Sequence, residues 1–283
     1  MHNAAFASLG LDWRYLAFPV APAHLEQAIR GALQMRFVGI NLTVPHKILA
    51  CPMMDALDES ARKWGAVNTV RIEARMPGES WQPVAQLGEC VESELEFRTQ
   101  GFNTDANALA QALREDLDWK PEGSKVLLLG VGGAGRVAAL RLASEGISSI
   151  SLVNRTHSKA EALASEISFR FPQVRAQAGY PSDAPDLVLN ASSAGLNQDD
   201  PLPFDESRLD FRRVARVFDM IYRPRETRLL AAARAAGCRT ANGLGMLLHQ
   251  GAKSLEIWSG KTAPISVMRR ALHEAIYTES PIP

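Results

Sequence analysis

Behind Pro22 the apolar residues Leu25, Ile29 and Leu33 recur at every fourth position, a spacing that predicts an amphipathic helix with one buried stripe. The period then changes. FVGINLTV (37–44) is a β-rich run that VPHK interrupts, and a broken helical stretch to about Lys63 leads into a second β-branched run, AVNTVRI (66–72). Residues 73–100 mix charge, Pro and Gly without either period, and a long hairpin-like excursion is expected there. Helical periodicity resumes from Asp105 to about Leu117. A regular alternation follows: strand KVLLLG (125–130), helix near 134–146, strand SISLV (149–153), helix near 157–168, strands DLVLN (186–190) and RVFDMIY (216–222), helix near 225–236. Strands separated by helices imply a parallel, doubly wound sheet. GLGMLLHQGAKSLEIW (243–258) reads as a further helix, and residues 4–9 as the first turns of an amphipathic one.

Composition narrows the function classes. The chain has 283 residues with 46% hydrophobic content, which suits about two globular domains. Its 31 basic and 31 acidic residues cancel, so neither nucleic acid nor a membrane surface has electrostatic support as a partner. Cys51, Cys90 and Cys238 are few and widely separated, which fits reduced thiols and neither a disulfide framework nor a zinc site; no metal is expected. No apolar run approaches the roughly 18 residues of a membrane helix, and the reading is cytoplasmic.

The clearest chemical signal is GVGGAGR, set directly after a strand and directly before an Ala/Leu-rich helix. Gly130, Gly132 and Gly135 stand at G-x-G-x-x-G spacing: the first for a tight turn, the second for close approach to a pyrophosphate, the third for helix–strand packing. The helix N-terminus then offers free N–H groups to phosphates. The next strand ends in NRTHSK, where an NAD site would place an acid on the ribose. Asn154, Arg155, Thr156 and Lys159 supply donors and positive charge there instead, so the cofactor reads as NADP (NADPH).

A second set of polar residues lies in the first half. NLTVPHK places Asn41, Thr43 and Lys47 at a strand end, while GAVNT and GFNTD place Asn68 and Asp105 at loops. A lysine kept oriented by a carboxylate can exchange a proton with a substrate hydroxyl, which hydride transfer at an alcohol carbon requires. Asn68 and Thr43 equally suit the satisfaction of turn backbone groups.

In this order NLTVPHK, GAVNT, GFNTD, GVGGAGR with NRT, NASSAG, VFDMIYRPRETRLL and GLGMLLHQGAKSLEIW resemble the shikimate dehydrogenase family over nearly the whole chain. The resemblance implies reversible NADPH-dependent reduction of 3-dehydroshikimate to shikimate, a small-molecule reaction of aromatic amino-acid biosynthesis, by a monomer or homodimer. It implies that Lys47 and Asp105 are the catalytic pair and that Thr43, Asn68, Tyr222 and Gln250 hold the substrate. Gly130, Gly132, Gly133, Ala134, Gly135, Asn154, Arg155, Thr156 and Lys159 would bind the cofactor, with Ser192, Met220 and Gly243 around the nicotinamide.

The implied architecture is α/β in two domains: a doubly wound parallel Rossmann-type NADP domain over 106–242, and an α/β substrate domain with a mostly parallel sheet over 1–105, completed by helices in 243–283. The site is expected in the cleft between them. Ser192 replaces a threonine of the family pattern, and the excursion between Thr69 and Gly101 is longer than usual. The family also carries a strand and a Ser-x-Ser-Pro turn ahead of MHNAAF, so the true start is expected upstream of Met1. Two readings compete: a quinate-using sister enzyme, often with NAD, and a nucleotide-binding remnant without turnover.

Overall fold

A computed structural model describes residues 1–87, 94–197 and 199–278; Cys90 lies outside them. In chain order the first elements are α1 (His2–Ser8), α2 (Leu25–Gln34), β1 (Gly39–Asn41), α3 (His46–Leu49), β2 (Ala56–Leu57), α4 (Glu59–Trp64), β3 (Thr69–Arg75), β4 (Gln82–Pro83) and β5 (Glu96–Phe102). Then come α5 (Asp105–Leu117), β6 (Lys125–Leu129), α6 (Gly133–Ala143), β7 (Ser149–Val153), α7 (His157–Arg170), β8 (Arg175–Ala178), β9 (Leu187–Asn190), β10 (Arg216–Asp219), α8 (Arg228–Ala235) and β11 (Arg239–Asn242). Helices α9 (Leu244–Ser259) and α10 (Ile265–Tyr277) follow. The chain forms two compact units, one from Met1–Asp105 with Leu248–Pro283, the other from Ala106–Leu247.

In the first unit the predicted stripe of α2 is buried, and Leu25 and Ile29 pack with Leu42, Ala50, Ala61, Val67 and Val70. Pro22 opens a short 3-10 turn ahead of the helix proper. Asp58 caps α4 by accepting from the Ser60 N–H, and Gly65, in the left-handed region at φ 64°, ends it just before the GAVNT strand. The sheet order is β1-β3-β5-β2, with β4 also on β3.

The expectation of a mostly parallel sheet in this unit is corrected. β3 pairs antiparallel with β1, with β4 and with β5, where Thr69 faces Phe102 and Arg75 faces Glu96; the β2–β5 pair is parallel. The cause is the excursion over 73–100. It returns the chain beside β3 with no α-helix among its described residues, and such a connection makes β4 and β5 antiparallel to β3.

The second unit carries six strands in the order β11-β10-β9-β6-β7-β8, every neighbouring pair parallel. The chain winds outward from β6 through β7 and β8, then restarts on the other side at β9. The order therefore reverses between β6 and β9, where doubly wound sheets bind ligands at the carboxyl ends of their strands. Leu127, Leu129, Val188 and Val217 on the sheet pack against Leu229, Leu230 and Ala233 of α8. Among the described residues no helix is long and apolar enough to cross a membrane.

Candidate active site

Lys47 sits on α3 just past Pro45, and its carbonyl accepts the Val67 N–H at 2.8 Å, which fixes α3 against the start of the GAVNT strand. Its Nζ donates to Asp105 Oδ2 at 2.8 Å, with 20% of the lysine side chain and 10% of the aspartate side chain exposed. Asp105 is the first residue of α5, where the N-terminal helix charge favours a carboxylate. Its other oxygen, Oδ1, accepts from Asn68 Nδ2 at 3.0 Å. The carboxylate thus bridges a cation and an amide.

Asn68 lies immediately before β3 and is buried. Its Oδ1 accepts the Thr104 backbone N–H at 2.8 Å, which sets the amide so that Nδ2 faces Asp105. Nδ2 also reaches Thr104 Oγ1 at 2.8 Å and Gln250 Oε1, on α9, at 3.4 Å. Four of the expected residues, Lys47, Asn68, Asp105 and Gln250, are therefore connected within one unit. Thr43 is exposed upstream of Lys47, and Tyr222 lies in the other unit, 37% exposed. Thr104, which both donates to and accepts from Asn68, carries no signal of its own in the GFNTD block, where the neighbouring acid stands out.

In the second unit each glycine of the fingerprint has its own physical reason. Gly130 is left-handed at φ +91°, and a Cβ there would lie 2.8 Å from the Ser192 nitrogen. A Cβ on Gly135 would stand 2.0 Å from the Gly130 carbonyl, so the helix packs against the strand only with glycine at that point. A Cβ on Gly132 would meet nothing within 4 Å: the backbone faces open space there. Gly132 precedes α6 with no side-chain cap, so Gly133, Ala134 and Gly135 begin the helix with uncapped amides. Asn154 ties two loops together, accepting from the Val131 N–H at 3.1 Å and donating to the Thr156 carbonyl at 3.0 Å. Arg155, Thr156 and Lys159 are exposed beside it.

Ser192, Met220 and Gly243 follow the ends of β9, β10 and β11. Ser192 Oγ donates to Asn190 Oδ1 at 2.7 Å, and the Met220 N–H donates to the Asn190 carbonyl at 2.9 Å. A Cβ on Gly243 would lie 2.0 Å from the Met220 carbonyl. Beneath them Asp219 is buried and accepts from Asn190 Nδ2 at 2.9 Å and Thr227 Oγ1 at 2.6 Å. Burial raises its carboxyl above the ordinary range, against those hydrogen bonds and that of the Ile221 N–H. These residues fit a dinucleotide: an open glycine turn, uncapped helix amides, and a cationic loop where a 2′-phosphate would lie. Among the described residues no group of three or more His, Cys, Asp or Glu is placed to hold a metal.

The doubly wound unit with its glycine turn, and the unit with a lysine–carboxylate pair, define a class: a nicotinamide-dependent dehydrogenase built from two α/β units. Comparison with known proteins carries this further. The family description "Shikimate dehydrogenase substrate binding domain" matches residues 1–70, "Shikimate / quinate 5-dehydrogenase" matches 109–180, and "Shikimate 5'-dehydrogenase C-terminal domain" matches 243–273. The shikimate dehydrogenase (NADP(+)) of Methanopyrus kandleri is 38% identical over 97% of this chain and 89% of its own length. That of Moorella thermoacetica is 40% identical over 99% and 89%. The crystal structure of the Thermus thermophilus shikimate 5-dehydrogenase, in complex with NADP(H) and shikimate, superposes with a TM-score of 0.77 at 31% identity, covering 97% of this chain and 92% of that one. The chain belongs to the shikimate dehydrogenase family.

Proposed function

We propose that the chain reversibly reduces 3-dehydroshikimate to shikimate with NADPH. The observation that carries this reading is the Lys47–Asp105 pair at 2.8 Å, bridged to Asn68 and through it to Gln250. In the reductive direction Lys47 Nζ gives a proton to the carbonyl oxygen as it becomes a hydroxyl; in the reverse direction it takes that proton back. Asp105 holds the ammonium in place and accepts a hydrogen bond from a neighbouring ring hydroxyl. Asn68, Gln250, Thr43 and Tyr222 fix the ring and its substituents. The nicotinamide, when bound, supplies or accepts the hydride.

NADP would be held by the turn Gly130–Gly135, the loop Asn154, Arg155, Thr156 and Lys159, and Ser192, Met220 and Gly243. The absence of an acid after β7, with Arg155 and Lys159 in its place, supports NADP over NAD. We assign substrate binding to residues 1–105 with 243–283 and cofactor binding to 106–242. The balanced charge favours small molecules over nucleic acid or a membrane surface as partners, and the few, separated cysteines support a cytoplasmic enzyme, which the family resemblance makes monomeric or homodimeric.

The test is NADPH formation from shikimate and NADP, run beside quinate and beside NAD. Lys47→Met is expected to lower kcat by about 10²–10⁴, the usual contribution of a positioned acid–base group, with the KM for NADP unchanged. Faster turnover of quinate with NAD, or a Lys47→Met variant as fast as the parent, would sink the assignment.

A further inference from the structure

Behind the Lys47–Asp105 pair lies a run of buried and half-buried hydroxyls and amides that the roles above do not use. Thr69 and Ser254 are both 0% exposed, and their hydroxyl oxygens lie 2.8 Å apart. Thr69 opens β3 next to Asn68; Ser254 lies one turn of α9 beyond Gln250. Asn41 touches both, with Nδ2 3.0 Å from Ser254 Oγ, 3.1 Å from Thr69 Oγ1 and 3.1 Å from the Asn68 carbonyl. The Tyr15 hydroxyl is 3.0 Å from Asn41 Oδ1.

The sense of these bonds follows from groups that have only one role. The Asn68 carbonyl only accepts, so Asn41 turns its NH2 toward it and its oxygen toward Tyr15, which must donate. The Thr104 N–H only donates, so Asn68 offers it Oδ1 and turns its NH2 to Asp105. The hydroxyl of Ser254 has two acceptors, the Gln250 carbonyl at 2.9 Å and Thr69 Oγ1 at 2.8 Å. The Gln250 carbonyl already has the i+4 amide of its own helix, whereas Asn68 Oδ1, 3.2 Å from Thr69 Oγ1, gains a second donor only if Thr69 points to it. Donation from Ser254 to Thr69 and from Thr69 to Asn68 therefore satisfies the most groups. The donors then run in one direction, Tyr15 to Asn41 to Ser254 to Thr69 to Asn68 to Asp105, with Lys47 meeting the same carboxylate from the other side.

We propose that Thr69 and Ser254 are positioning residues that lock the Asn68 amide toward Asp105 and Gln250; the proposal rests on the function assigned above. A chain of hydrogen bonds of one sense polarises each successive donor, so the bond from Asn68 to the carboxylate is strengthened by links that never touch the substrate. Without the Thr69 hydroxyl, Asn68 Oδ1 keeps the Thr104 N–H and Nδ2 keeps Thr104, Asp105 and Gln250, but the amide loses its second donor and with it part of its alignment toward the carboxylate. Small misplacements of a gripping group are costly to rate, because the reacting atoms must already be aligned.

The experiment compares Thr69→Val, nearly isosteric but without the hydroxyl, with Thr69→Ser, which restores it. Thr69→Val is expected to lower kcat for shikimate about tenfold, the worth of one buried hydrogen bond, while Thr69→Ser stays within about twofold of the parent and the KM for NADP is unchanged. Ser254→Ala cuts the chain one link further back and serves if Thr69→Val does not fold; a kcat loss of about threefold is expected. A folded Thr69→Val or Ser254→Ala with parental kcat overturns the proposal, as does a Thr69→Ser as slow as Thr69→Val. The side-chain amide resonances of Asn68, identified by their loss in Asn68→Asp, give a readout that needs no turnover. They should move in Thr69→Val and not in Thr69→Ser; resonances unmoved in Thr69→Val overturn the positioning role. An inert parent enzyme, by contrast, counts against the shikimate reading alone.

Discussion

His2 is a buried residue whose chemistry is set by its surroundings. It stacks on Tyr15 with ring centroids 4.3 Å apart and lies 5.6 Å from the Trp258 ring, and its Nδ1 has no hydrogen-bond partner among the described residues. Burial lowers its pKa from an ordinary 6.5 to about 4. The unfolded chain therefore takes up a proton below pH 6.5 that the folded chain refuses until about pH 4, so stability present above pH 6.5 is lost as pH falls toward 4. The full loss is about 3 kcal/mol at 1.36 kcal/mol per pH unit. Urea unfolding of the parent and of His2→Phe across this window should show the slope in the parent and a flatter line in the variant; equal slopes would refute the origin in His2. At this scale the candidate site was legible where a residue's chemistry stands out against its neighbours, as with Lys47 after VPH or Asp105 after NT. Thr69 and Ser254 were invisible because a threonine opening a strand and a serine in a helix have ordinary structural uses.

Elements were legible in proportion to how completely they are buried. β6, β7 and β9 lie inside a parallel sheet and read as apolar runs, while α2 shows a single buried stripe. β8 and β11 escaped detection because they are the two edges of their sheet, and RAQA and RTAN alternate or lose apolar character as edge strands do. RVFDMIY reads as one seven-residue strand, but pairing stops at Asp219, where Met220–Tyr222 turn over the strand ends; α8 likewise waits for its Thr227 cap instead of starting near 225. The direction of β4 and β5 beside β3 depends on what the 73–100 segment does, and its composition shows no period from which to read it. Close approach of elements gives a sharper test. A Cβ on Gly39 of β1 would lie 2.1 Å from Trp258 Nε1, which donates to the Val70 carbonyl at 2.9 Å. Gly39→Ala should therefore cost about 3 kcal/mol through overpacking. Gly31→Ala in α2, where a Cβ meets nothing within 4 Å, should instead stabilise by about 0.5–1 kcal/mol. Thermal melts of the two variants that failed to diverge would contradict this packing.

At the scale of the whole molecule, the second unit is one continuous stretch, whereas the first is assembled from both ends of the chain. The grip on the first unit's sheet is split accordingly: Lys47, Asn68 and Asp105 come from its early part, while Gln250, Ser254 and Trp258 come from α9. A chain stopped after Leu247 should keep its six-stranded parallel sheet and still gain thermal stability from NADP, about 2.7 kcal/mol at a hundredfold excess over Kd. It should show no shikimate turnover. A truncated chain that turned over shikimate would place the late residues outside the machinery. The same discontinuity sets an order in time. During synthesis on the ribosome, Lys47 and Asp105 emerge first, the second unit then folds as a complete block, and the first must wait until α9 has followed that block out. Until then Val70 lacks its indole and Thr69 its serine, so the nascent first unit is the part of this protein with most to gain from a chaperone.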